Sequence, residues 1–280
     1  MNAILYHAYN STKIPLTGCI IDAFEYFIKI YEYNKDIKLL LLKTTSNAAN
    51  EMISIFKNRY DLSDVKGFEE NILVIDFKYL LKNIFDKLLV IDLITISKTR
   101  GLVRAKEIIV ISNINKSLED IDNYRYSSEL YNVKYYGEMP FHYKDSNYKM
   151  KFLFDKFKDL KKVEEGIYVN IPDYNKIDSL DKYALVESLN LPQKPLIFKD
   201  GKHRNNLFEK FDTYLYYHIN GWFDPHPRLI IECFFYGKEI IYINNLQIKD
   251  GSYYRYRDLL ENGIGERELT KDDEIIQQFI

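Results

Sequence analysis

Five short apolar runs in the first 113 residues constrain the fold more than any other feature: "AILYHAY", "IKLLLL", "NILVIDF", "KLLVIDLI" and "KEIIVISN". A strand with one wet face alternates apolar and polar residues, whereas a strand covered on both faces reads as an unbroken apolar run. Between the first two runs, residues 19–34 place Ile20, Ala23, Phe24, Phe27, Ile28 and Tyr31 at helical spacing, and "NEMISIFKNRY" reads as a second helix. The alternation predicts a parallel sheet with helices on both faces.

The pattern stops between about residues 113 and 162, a polar and aromatic stretch with a helix expected from Tyr148 onward. It then resumes. "GIYVNI" and "KPLIFKD" read as strands around the helix "DSLDKYALVESLN", capped by Asp178 or Ser179. "HRNNLFEKF" follows as a short helix, "DTYLYYHI" as a strand and "GSYYRYRDLLENG" as a helix ending at Gly263. The chain is therefore expected to be α/β, with two Rossmann-like domains, residues 1–150 and 151–280, facing across a cleft. Ligands bind such sheets at the carboxyl ends of the strands.

Charge excludes some functions. Lys plus Arg number 39 against 41 Asp plus Glu, a formal charge of −2, so no global field draws the chain to nucleic acid. The two cysteines, Cys19 and Cys233, sit in apolar helical contexts and are too few for a disulfide framework or a zinc site. No apolar run approaches the roughly 20 residues that span a bilayer, and the N-terminus does not read as a signal peptide, so a cytoplasmic setting is expected. The 25 tyrosines reflect general usage as readily as a stacking surface.

The chemistry concentrates in residues 221–243, "GWFDPHPRLIIECFFYGKEIIYI". Asp224 is placed to cap a helix with Pro225 at its first position, and Gly237 to end it. Helix starts receive anions, but Pro225 and Pro227 lack N–H groups, so Arg228 and His226 would supply the charge. Glu232 lies one turn beyond Arg228 on the same face. A carboxylate within "LIIECFF" needs a partner, either Arg228 itself in an intrahelical ion pair or the vicinal hydroxyls of a ribose.

"DPHPRLIIECFFYGKEIIYI" resembles the donor-site helix of glycosyltransferases with the GT-B architecture, in which a helix-borne glutamate of the C-terminal domain binds the ribose of a nucleotide sugar. The match runs over roughly residues 194–258. The resemblance implies a donor-binding C-terminal domain, with Lys199 from "LIFKD" and Lys202 or Arg204 near the diphosphate. His218 would stand at a strand end and Trp222 on a loop, beside Asp224, His226, Arg228 and Glu232. Lys249, Asp250, Ser252 and Arg255 would come from the loop after the last strand, although "KDGSYYRYRD" reads equally as a turn and an amphipathic helix.

In the N-terminal half, "YHAYNSTKIPLTG" is long for a strand-to-helix connection, and long loops in compact domains are often functional. Thr17 and Gly18, at the helix start, are candidates to approach a donor phosphate or an acceptor. His7, Asp22 and Asp92, at or near strand and helix ends, are the candidate catalytic bases. "YGEMPFHYKDSNYK" offers Glu138, His142 and Lys144 either to the cleft or to a crossing loop.

The activity implied is transfer of a sugar from a nucleotide-diphosphate donor to a hydroxyl acceptor; a saccharide, a lipid-linked sugar and a nucleic-acid base all stay open, with the charge of −2 favouring a saccharide over a nucleic acid. No cofactor is expected, and no metal, because no Asp-X-Asp motif stands at a strand end. Two rivals remain: a nucleotide-sugar epimerase of the same architecture, and a nucleotide-sugar-binding module without turnover.

Overall fold

A computed structural model of the chain describes residues 1–8, 18–112, 126, 131–137, 153–160, 165–169, 207–218, 228–244 and 269–280. It forms two units, Met1–Lys158 with Glu266–Ile280, and Asp159–Gly265.

The first unit runs β1 (Asn2–His7), α1 (Gly18–Tyr33), β2 (Lys38–Leu42), α2 (Ser46–Arg59), β3 (Ile72–Ile75), α3 (Phe77–Lys82), β4 (Phe85–Ile91), α4 (Leu93–Thr99), β5 (Ala105–Ser112) and β6 (Asn132–Gly137). The strands form one six-stranded parallel sheet in the order β3-β2-β1-β4-β5-β6. That is the Rossmann-like order, built outward in both directions from β1 and β4. The unbroken apolar runs have the expected cause, since residues 39–42, 88–91 and 108–111 are all fully buried. At the edge, β3 exposes Val74, and β6 carries Lys134, which pairs with Glu107 of β5 at 2.9 Å.

Several local details differ from the sequence reading. Strand β6 lies inside the stretch where alternation is lost, because an edge strand such as "NVKYYG" has no continuous apolar signature. "KLLVIDLI" does not continue as strand: Asp92 ends β4 and its carboxylate accepts from the Ile94 N–H at 3.1 Å, starting α4. Helix α2 begins before "NEMISIFKNRY", at Ser46, where the Thr45 hydroxyl accepts from the Ala48 N–H.

Helix α1 is buried from Ile20 to Tyr31 because elements pack on it from more than the sheet side. Tyr60 donates its hydroxyl to buried Glu25, and a column of rings runs Phe24, Phe56, Tyr60, Phe157 at centroid spacings of 4.7, 4.2 and 4.8 Å. Lys156 ties the 153–158 segment down through Glu32 at 2.8 Å and Asp64 at 3.0 Å. Helix α6 (Glu274–Gln277), capped by Asp273, buries Ile275 and Ile276. Its following residues accept from Asn34, just past α1, and from Lys87 near the start of β4. This terminal segment therefore sits at the amino ends of the strands, opposite the carboxyl edge.

The second unit has a three-stranded parallel sheet, β7 (Ile167–Val169), β8 (Thr213–His218) and β9 (Glu239–Asn244), in that order, with α5 (Arg228–Phe235) joining β8 to β9. Tyr168, Phe208, Phe211, Tyr214, Ile230 and Cys233 form its core. Lys238 is buried and donates to the Phe208 carbonyl at 2.5 Å and the Phe211 carbonyl at 2.7 Å.

Helix α5 ends in a Schellman motif: Lys238 N–H donates to the Cys233 carbonyl and Gly237 N–H to the Phe234 carbonyl, with Gly237 at φ 65°. A Cβ at Gly237 would meet nothing within 4 Å, so only backbone strain opposes a side chain. Gly237→Ala is expected to cost about 1 kcal/mol in denaturant unfolding. An unchanged midpoint would show that the turn does not hold this conformation in solution.

Among the described residues no helix is long and apolar enough to cross a membrane. The segments "DSLDKYALVESLN", "KPLIFKD" and "GSYYRYRDLLENG" lie outside the described residues, as do Tyr148, the expected cap Asp224 and Pro225. Of the helix expected from Tyr148 onward, the described part is a 3-10 turn, Phe154–Lys156, followed by a bridge from Phe157 to Tyr60 rather than an α-helix.

Candidate functional site

The carboxyl edge of the first sheet gathers two of the three candidate bases. His7 is the last residue of β1, opposite Leu42 of β2, and Tyr6 pairs in register with Ile91 of β4. Asp92 follows Ile91, so His7 and Asp92 occupy neighbouring strand ends. Connections leave β1 toward β2 and β3 on one side and β4 toward β5 and β6 on the other. This is the topological switch point at which open α/β sheets hold their ligands.

The backbone here is unusual. Lys43 (φ 62°) and Asp92 (φ 80°, ψ 138°) are the two non-glycine residues with positive φ among those described. One is the first residue past β2 and the other the first past β4, so they flank the end of β1 on both sides. Each conformation costs on the order of 1–3 kcal/mol and persists only where the surroundings fix it. For Asp92 those surroundings are its cap on α4 and its own N–H, which donates to the Ile111 carbonyl at 2.9 Å.

His7 is held from behind. Its N–H donates to the hydroxyl of fully buried Thr95 on α4 at 2.9 Å. Thr99, one turn on, donates to the Thr95 carbonyl at 2.7 Å and pairs with the Tyr126 hydroxyl at 2.8 Å. His7 is 6% exposed, and burial, with a lesser push from Lys98 and Lys43, lowers the imidazole pKa below the ordinary 6.5. It is therefore neutral at pH 7, the form able to accept a proton.

Asp22, the third candidate, lies on α1 four residues after Gly18 and is buried. Because α1 joins two parallel strands, its start at Gly18 stands on the same carboxyl side of the sheet. Thr95, Lys43 and Lys98 had not been singled out from sequence. The Asp92 cap was the available signal for Thr95, since a capping residue before an apolar run marks a helix start.

In the second unit, Glu232 has a partner in Arg228. Arg228 Nε donates to Glu232 Oε1 at 2.8 Å, with the two side chains 7% and 4% exposed. The intrahelical ion pair is formed, and it is buried rather than solvated. Helix α5 connects parallel strands β8 and β9, so its first turn, with Arg228, lies at the carboxyl side of that sheet. His218 closes β8 at the same edge, in register with Asn244.

Asp224, His226, Lys199, Arg204, Ser252 and Thr17 lie outside the described residues, as do Lys202, Trp222, Lys249, Asp250, Arg255, Glu138, His142 and Lys144. No three His, Cys, Asp or Glu side chains among the described residues are grouped to hold a metal ion. The chain matches no family model, no curated protein and no solved structure.

Proposed function

We propose that the chain is a GT-B-like glycosyltransferase, with two Rossmann-like domains facing across a cleft, that moves a sugar from a nucleotide-diphosphate donor to a hydroxyl acceptor without a metal ion. The observation that carries the reading is the β8-α5-β9 unit, which puts an arginine and a glutamate in the first turns of a helix starting at a carboxyl edge. Arginine there counters the charge of a diphosphate, and the glutamate accepts ribose hydroxyls. A guanidinium carries five donors and a carboxylate about four lone-pair positions, so their mutual hydrogen bond does not by itself exhaust either.

The first unit supplies the base. His7, neutral and with its backbone N–H held by Thr95, takes the proton of the acceptor hydroxyl as its oxygen bonds to the anomeric carbon. The bond from that carbon to the diphosphate oxygen breaks, and the electron pair leaves with the nucleoside diphosphate. The Arg228–Glu232 pair also favours a second reading, in which α5 is purely structural and the two charges serve each other.

Incubation with nucleotide sugars distinguishes the possibilities. Release of nucleoside diphosphate that requires an added hydroxyl acceptor and survives EDTA is the expected result. Conversion of the donor's sugar with no acceptor and no release would identify an epimerase. Tight binding without turnover would identify a binding module.

A further inference from the structure

The strained pair of strand ends around His7 brings together more than a base. Lys43, one of the two residues held at positive φ, is exposed, and its ammonium lies 5.3 Å from the centre of the Phe77 ring. A glycine would take this conformation at lower cost, yet the chain places there a residue whose side chain ends in a charge. Lys98 reaches the same region from the other side of β1. It is exposed and stands three residues beyond Thr95, and therefore on the helical face whose Thr95 hydroxyl accepts from His7. Because Leu42 pairs with His7 in register, Lys43 is the next residue beside the end of β1, and both ammonium charges disfavour the protonated form of the imidazole.

Neither lysine has a carboxylate partner among the described residues, so both charges stay available to a ligand; what sets them apart from other unpaired lysines of the unit is their place beside the end of β1. The nearby acid, Asp92, is fully buried, and its Oδ1 accepts from the Ile94 N–H at the start of α4. The switch point thus presents two exposed cations around a neutral imidazole.

We propose that Lys43 and Lys98 form an oxyanion subsite beside His7, which selects a substrate bearing a phosphate or carboxylate group. Taken with the glycosyltransferase reading, on which this assignment to the acceptor rests, the acceptor is an anionic saccharide. The lysines hold its charged group while His7 faces the hydroxyl to be glycosylated. Two ammonium groups that must desolvate little suit a group that stays partly in water, and their contribution is sensitive to salt.

Calorimetric titration of the whole chain with glucose 6-phosphate, glucuronate and glucose tests the subsite and separates phosphate from carboxylate. At least one of the two anions is expected to bind ten-fold or more tightly than glucose at low salt. Lys43→Gln with Lys98→Gln is expected to remove that preference, while Lys106→Gln, at the opposite edge and paired with Asp86, retains it. Equal binding of anion and neutral sugar, no binding of either anion at 10 mM, or an unchanged preference in the double variant would each overturn the proposal. Titration of the same double variant with nucleoside diphosphates reports separately on the donor site, so loss of the subsite and failure of the donor reading remain distinct.

Discussion

Removing the carboxylate of Glu232 while Arg228 stays, as in Glu232→Leu, is expected to lower stability by about 3–5 kcal/mol, because it strands a buried guanidinium. The pair's 2.8 Å hydrogen bond and low exposure place it in that class rather than among surface i, i+4 pairs, which contribute only about 0.3–0.5 kcal/mol. Replacing both members, Arg228→Leu with Glu232→Leu, is expected to recover most of the loss, since a well-packed apolar pair of similar volume is often as stable as a buried ion pair. Denaturant unfolding of the parent and the two variants reads this directly. A Glu232→Leu variant as stable as the parent would mean that the pair opens to water in solution. The milder Glu232→Gln keeps a hydrogen-bond acceptor for Arg228 and is the variant suited to binding measurements.

The second large effect concerns His7. If the imidazole is the base, His7→Gln is expected to lower kcat by roughly 10²- to 10⁴-fold with little change in donor affinity. The parent's kcat/KM should fall on the acid side, tenfold per pH unit, with an apparent pKa below the ordinary 6.5, since burial and the two lysines disfavour the charged ring. Stability follows the same sign. The unfolded histidine protonates first, so its contribution is complete above about pH 6.5 and declines as pH falls toward the lower folded-state value. An acid limb unchanged in His7→Gln would assign the proton transfer to another group.

Much of the fold was legible because fully covered strands cannot hide their composition. β1, β2, β4 and β5 appear in the sequence as apolar runs for the same reason that their residues are buried. β6 was not legible, because an edge strand with Lys134 toward solvent carries a weak signal. α4 was hidden by the β-branched residues of "LITIS", whose local preference is overridden by the Asp92 cap and by packing on the sheet. His7 and Asp92 were legible as strand ends. Their adjacency was not, since it depends on strand order, which places residues 85 positions apart in sequence beside each other. The positive φ of Lys43 and Asp92 left no trace in composition, because a strained residue looks like any other until its backbone is seen. The Arg228–Glu232 spacing was legible in sequence, but the burial of both side chains was not, since amino-acid spacing alone does not reveal it.

The proposed donor site is tested most directly by equilibrium titration of the parent chain and Glu232→Gln with UDP, GDP, ADP, CDP and dTDP. One of these is expected to bind the parent with a micromolar Kd, about −8 kcal/mol. If Glu232 accepts ribose hydroxyls, Glu232→Gln should weaken that binding roughly ten- to a hundredfold. Binding by none of the five below about 1 mM, or an affinity that Glu232→Gln leaves unchanged, would contradict a nucleotide site on α5.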